Sequence, residues 1–337
     1  VKHRIGLTMG DPAGIGPEIT VETLADSEIA EMAELIVFGD REVLEKAREI
    51  AEVDKEIREL DEEFADYDSD YINLYDMDNI DIEEIEFGQI SGGAGQASFE
   101  YIERACQLAL EGRLDGIVTG PINKESLKAG GVDYIGHTEM LGDLTDTDYP
   151  LTMFEVHDLR IFFLTRHLSL REACDQITEE RVYENIVESN QALERLGIYE
   201  ANLAVAALNP HGGERGLFGT EEMEEIKPAV ERARQQGYDV EGPLPADSVF
   251  HFALQGQYDA VISLYHDQGH IAAKMVDFER TVSLTNNLPF LRTSVDHGTA
   301  FDIAGEGIAS PVSLKEAIRV GARYIPCFQE KEENCHL

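Results

Sequence analysis

The stretch Tyr265–Lys274, YHDQGHIAAK, presents two histidines, an aspartate and a lysine directly after the apolar run YDAVISL. A histidine taken alone is usually a surface or core residue, and His3, His157, His251 and His336 read that way. His167, His211 and His266 differ, because each stands at or shortly after the end of a buried-strand pattern. Three imidazoles converging on one sheet edge could bind a divalent transition metal and leave positions open for substrate oxygens. His270 follows His266 at the spacing of a helical metal pair, but Gly269 between them argues against a regular turn, and His270 is not counted as a ligand.

Cations sit in the same kind of place. Lys124 in TGPINK and Lys274 in YHDQGHIAAK are two of only nine lysines, and both fall in polar clusters at strand ends. Arg292 in LPFLRTSVDHGT has the planar fork that clamps a carboxylate or phosphate. Work on an anionic ligand or activation of a hydroxyl explains them, and so do ion pairs with the abundant acids. GDPAGIGPE (residues 10–18) is a glycine-rich turn without G-x-G-x-x-G or G-K-[ST], so a tight strand-to-helix turn explains it as well as a phosphate loop does. No G-x-S-x-G supports serine hydrolase chemistry. In HGTAFDIAGEGIASP (residues 297–311), glycines would let backbone approach a flat ligand, and Asp302 could accept from a ribose diol. An acid there favours NAD over NADP, whose 2′-phosphate it would repel.

The elements that must position these residues alternate. RIGLTM, ELIVFG, DGIVTG, RIFFLT, NLAVAAL and AVISLY read as strands, with ASFEYIERACQLALEGR and RVYENIVESNQALERLG as amphipathic helices. This pattern predicts an α/β fold with a largely parallel sheet, in which ligands gather beyond the C-terminal strand ends. The polar clusters do follow strands, which points to an enzyme. No internal repeat or low-complexity linker marks a domain boundary.

Composition narrows the classes. The 337 residues are 43% hydrophobic and carry a formal charge of −40, from 67 acids against 27 Lys and Arg. An acidic surface poor in lysine is expected of adaptation to high salt, and its field disfavours nucleic acid. Residues 52–86 hold sixteen acids in thirty-five positions and are expected to form a solvated insertion or exposed helix and loop. Cys106, Cys174, Cys327 and Cys335 are widely spaced, which predicts a reducing compartment without structural disulfides. With no apolar run of membrane-spanning length and no signal-like start, the expectation is a soluble, cytoplasmic protein.

The motifs GDPAGIGPEI, TGPINK, GHTEML, ALNPHGGE, GPLPADSVF, YHDQGHIAAK and LPFLRTSVDHGTAFDIAGEGIA, in this order, resemble the 4-hydroxythreonine-4-phosphate dehydrogenase family, within the isocitrate and isopropylmalate dehydrogenase-like fold. The resemblance implies two lobes of largely parallel sheet with flanking helices and an active site in the cleft between them. Residues 1–130 with 290–337 would form the first lobe, and 131–289 the second, which would carry the metal histidines and the dimer interface. His167, His211 and His266 would bind one divalent ion (zinc, magnesium, manganese or cobalt), with the sites shared across a homodimer. His137, Thr138, Lys274 and Arg292 would hold a phosphorylated four-carbon hydroxy acid, and Asp247 and Asp267 would support the chemistry. Lys124, Lys274 and Asp267 are the candidate bases. Gly298, Asp302, Ile303 and Gly305 would lie against NAD. The implied reaction is oxidation at the 3-hydroxyl with decarboxylation, on 4-hydroxythreonine 4-phosphate as in pyridoxal phosphate synthesis. A sister branch acts on erythronate or threonate 4-phosphate, and FEYIERACQLAL and PINKE lean toward it. Two positions depart from the family pattern. Ser283 replaces a substrate-contacting asparagine, and Asn287 stands where glycine is usual. The rival readings are a metal-free acyl-phosphate transferase and a non-catalytic ligand-binding protein.

Overall fold

A computed structural model describes residues 2–329, so Cys335 and His336 lie outside the described residues. The chain forms two compact units, 2–150 with 287–329, and 151–286. It lays down β1 (Arg4–Thr8), β2 (Glu34–Gly39), β3 (Ile57–Glu59), β4 (Ile72–Asp76) and β5 (Gly116–Thr119) in the first unit. In the second it forms β6 (Leu151–Val156), β7 (Leu159–Phe163), β8 (Leu203–Ala206), β9 (Val240–Leu244), β10 (Ala260–Ser263) and β11 (Val282–Asn286). It then returns to the first unit for β12 (Leu291–Val295).

In the first unit the strand order is β3-β4-β2-β1-β5-β12, and every neighbouring pair is parallel. A parallel sheet is covered on both faces, so its strands read as continuous apolar runs. LIVFG in β2 and GIVT in β5 are buried throughout. The helix Gly92–Leu110 starts at Ser91, whose hydroxyl accepts from the Ala94 amide at 3.2 Å. It buries Ala94, Ala97, Tyr101, Ile102, Ala105 and Leu108 at helical spacing against β1, β2 and β5.

The acidic segment 52–86 departs from its expectation. It supplies the edge strands β3 and β4, with Ile57, Ile72, Leu74 and Phe64 buried. Its acids face outward, and Glu59, Glu62, Glu63 and Asp68 pair with Arg41, Arg104, Arg113 and Arg58. Exposed pairs of this kind contribute at most about 1 kcal/mol each. The hydrophobic minority therefore decides where the segment lies.

The second unit orders its strands β11-β6-β7-β10-β8-β9. β11 and β7 run antiparallel to β6, and the remaining neighbours are parallel. Phe154, Ile161, Phe163, Ala204, Val249, Val261 and Ala273 form its core.

Cys106 and Cys174 are free thiols, with burial pushing Cys106 up to about 12. Cys327 is disulfide-bonded, which corrects the expectation of no structural disulfides. No helix among the described residues is long and apolar enough to cross a membrane.

Candidate functional site

β7, β10 and β8 are consecutive parallel neighbours, so their C-terminal ends share one edge of the second unit. His167 follows β7, His266 follows β10, and His211 follows β8. The rings of His167 and His266 stand 6.2 Å apart between centroids and line a cavity of about 320 Å³ with Asp267, Arg166 and Tyr265. An ion about 2.0–2.1 Å from one nitrogen of each ring sets centroids roughly 5–6 Å apart, and this pair stands slightly beyond that spacing. His266 opens the helix His266–Val276, and its Nδ1 lies 2.7 Å from Asp267 Oδ1. A carboxylate on one ring nitrogen orients the ring and leaves Nε2 as the ligating atom.

His270 stacks on His266 at 3.6 Å and 13°, and its Nδ1 lies 2.8 Å from the His266 carbonyl. The Phe154 and Phe163 rings back it. Burial, chiefly, pushes His270 down to about 4. Gly269 continues the helix after all, and a Cβ there would meet Phe163 at 2.5 Å. His270 thus serves as a floor beneath His266.

His211 is exposed and stands in a run, His211–Arg215, whose φ values are all left-handed, from 45° to 75°. Glu222 fixes the approach to this run. Its Oε1 accepts from the Leu208 and Asn209 amides at 2.9 and 2.6 Å, and its Oε2 from Asn209 Nδ2 at 2.9 Å. Among the described residues no three His, Cys, Asp or Glu side chains come together as a metal cluster. The chain joins His167 and His266 and keeps His211 apart.

Apart from Asp267, the other candidates of this unit do not line that cavity. Lys274 is half-buried with Nζ 5.2 Å over the Phe278 ring. Asp267 is 71% exposed, and Asp247 is exposed near the start of the helix Ala246–Leu254. Ser283 lies partly exposed on β11, opposite Phe154.

In the first unit, Arg292 of β12 is 3% exposed and donates to the Thr119 hydroxyl, from Nε at 3.0 Å and from Nη2 at 2.6 Å. Burial pushes its guanidinium down to about 9, against the charges of Asp296 and Glu139. His137 begins the helix His137–Leu144, and its buried Nε2 has no hydrogen-bond partner. Burial, then the Arg292 charge, hold this imidazole well below its usual range, against the Gly120 backbone. A buried guanidinium, an unpaired ring nitrogen and a helix N-terminus together suit an anion. Thr138 is part-buried on the same helix, whereas Lys124 is exposed at the start of Lys124–Ala129.

The segment 297–311 is built of turns, with the Ile303 amide donating to the Ala300 carbonyl at 3.0 Å. Asp302 and Gly298 are exposed, and the space a Cβ would occupy at Gly298 is open. Gly305 and Gly307 have φ of 85° and 66°. The turn after β1 holds this segment. Ile15 N donates to Thr299 O at 3.0 Å, and Glu18 accepts from the Gly305 and Gly307 amides at 2.5 and 2.9 Å. GDPAGIGPE is thus the tight packing turn, since Gly10 has φ 81° and a Cβ there would meet Pro121 O at 2.3 Å.

Sequence reasoning missed Thr119, Glu18 and Glu222 as supporting residues. An acid inside the otherwise apolar helical start GPEITV was the available signal for Glu18, whereas Glu222 is one of four glutamates in EEMEE and carries no such signal.

The family model described as pyridoxal phosphate biosynthetic protein PdxA matches residues 31–321. A Clostridium botulinum protein, provisionally named a D-threonate 4-phosphate dehydrogenase, is 55% identical over 98% of this chain and 99% of its own. A Halalkalibacterium halodurans protein of the same provisional name is 57% identical, over 97% and 98%. The crystal structure of a 4-hydroxythreonine-4-phosphate dehydrogenase from Klebsiella pneumoniae is similar with a TM-score of 0.88 at 40% identity, over 96% and 99%.

Proposed function

The chain belongs to the family of the pyridoxal phosphate biosynthetic protein PdxA, and on that premise we propose that it oxidises D-threonate 4-phosphate with NAD, in a divalent-metal-dependent reaction. It is a dehydrogenase acting on a hydroxy acid, with the isopropylmalate dehydrogenase-like fold. The observation that carries the substrate class is the buried Arg292 beside His137, whose Nε2 is unpaired. A phosphate dianion would accept from both, and the neutral imidazole would gain a proton as it binds. The names of the relatives at 55–57% identity favour the sugar acid.

In the second unit, His167 and His266 would hold the ion, with His211 or a ligand from a second copy completing the set. When bound, such an ion lowers the pKa of a substrate hydroxyl and polarises the carbonyl it becomes. Asp267 orients the His266 ring. Lys274, on the same helix, would exchange the hydroxyl proton. NAD, when bound, would supply the acceptor for the C3 hydride, and a 3-keto acid so formed would lose CO2 and take a proton at C2 to give a three-carbon keto phosphate. In the first unit, Asp302 would accept from the ribose diol of NAD.

The helix that opens with His266 also exposes Ile271 and Met275, at 62% and 80%. Apolar groups so exposed support a homodimer interface along this helix. Sedimentation of Met275→Glu, expected to be monomeric and metal-poor, tests it.

The deciding assay follows NADH at 340 nm and the three-carbon keto phosphate, with added metal in high KCl. D-threonate 4-phosphate is expected to exceed 4-hydroxythreonine 4-phosphate in kcat/KM. The opposite order would assign the second reading, which the names of the solved relatives favour. Silence with both would overturn the proposal.

A further inference from the structure

We propose that Glu18 is a positioning residue for the cofactor. Its carboxylate holds Gly305 and Gly307 in the left-handed conformations that shape the surface for the adenosine half of NAD. The inference rests on the reading of 297–311 as the NAD loop.

Glu18 lies in the first turn of the helix Gly16–Ala25 and is 0% exposed. A carboxylate at this place ordinarily turns toward the orphan amides of its own helix start. Glu18 instead reaches across the fold, Oε1 to Gly305 N at 2.5 Å and Oε2 to Gly307 N at 2.9 Å. A buried charge persists only where hydrogen bonds replace its water, and here each oxygen has one amide. Both glycines adopt φ values that other residues avoid, 85° and 66°. Phe87 and Ile50 also lie close to the loop. A Cβ at Gly305 would meet Phe87 Cβ at 3.1 Å, and one at Gly307 would meet Ile50 O at 2.6 Å. The backbone is therefore held by the carboxylate and leaves no room for a side chain at either glycine, while Asp302 stays exposed.

The chemistry requires a carboxylate. Two N–H donors converge, so both facing atoms must accept, and an amide side chain supplies only one acceptor. Glu18→Gln keeps the volume and turns one bond into a donor–donor contact.

Titration of the purified protein with NADH, followed by its fluorescence, tests the role alongside inorganic phosphate binding and thermal melting. Glu18→Gln is expected to weaken NADH about tenfold or more, with the kinetic loss falling on KM for NAD more than on kcat. Phosphate affinity should stay within about twofold, since His137 and Arg292 are untouched. Amide exchange at Gly305 and Gly307 should quicken. Wild-type NADH affinity in Glu18→Gln would overturn the proposal while leaving the NAD loop standing. Equal losses of NADH and phosphate binding with a lowered melting temperature would also overturn it, as a general structural role. A wild-type protein that binds no NADH would overturn the loop reading itself.

Discussion

Arg292 donates twice to one acceptor: Nε lies 3.0 Å and Nη2 2.6 Å from the Thr119 hydroxyl, on the adjacent strand of the first unit. This fixes the plane of a buried guanidinium before any ligand arrives. Arg292→Lys removes the fork, and about a hundredfold loss of kcat/KM is expected on a phosphorylated substrate. Thr119→Val keeps the charge and frees the plane, so about three- to tenfold is expected. Steady-state kinetics with phosphorylated and dephosphorylated substrates checks both, since neither change should affect the dephosphorylated compound as strongly.

Asp40 accepts from the Asn79 amide and the Tyr101 hydroxyl, both at 3.2 Å, and burial raises it to about 6, with Asp76 and Asp78 adding to the shift. A carboxyl raised in the folded state costs stability once the unfolded chain ionises. The cost grows from about pH 4 and is complete above pH 6. Asp40→Asn is expected to stabilise by about 1–2 kcal/mol at pH 7.5 and by almost nothing at pH 4. Urea titrations at the two pH values measure this. An equal gain at both would sink the linkage.

Glu222 takes three hydrogen bonds from residues 208 and 209, next to His211. If His211 ligates, Glu222→Gln should weaken manganese or zinc binding about 10–100-fold, the usual scale for a group supporting a ligand. Calorimetry of metal binding, beside circular dichroism for retained fold, is the check.

Ser283 presents one short hydroxyl on β11 where the resembled family carries asparagine. Ser283→Asn is expected to move the ratio of kcat/KM values by about tenfold toward 4-hydroxythreonine 4-phosphate. Competition between the two substrates measures the ratio directly, and an unchanged ratio would remove Ser283 from specificity.

The formal charge of −40 predicts a salt requirement. The melting temperature should rise steadily as KCl is raised from about 0.1 M, where the screening length is about 10 Å, toward 1 M and beyond. A flat response would separate the composition from any role in stability.

The two departures from the family pattern fare differently. Asn287 has φ 68°, and asparagine tolerates that region better than most residues other than glycine. Its place in a glycine position is therefore conformational. Nothing comparable explains Ser283.

Much of this architecture was legible in local pattern. The apolar runs of β1, β2, β5, β7, β8 and β10 announce buried parallel strands, and polar clusters at their ends announce a site, because side-chain periodicity is a property of neighbours in the chain. The residues of His137, Arg292 and the three histidines came with the motifs. Strand order did not, because pairing depends on packing between segments far apart in sequence. Only the tertiary structure sets β7, β10 and β8 side by side, and so brings His167 to His266 while His211 stays out. Only it turns the acidic segment 52–86 into a sheet edge, where five buried apolar side chains outweigh the charges around them. The reach of Glu18 to an amide 287 residues away is of the same kind, since no local pattern encodes which buried carboxylate meets which backbone.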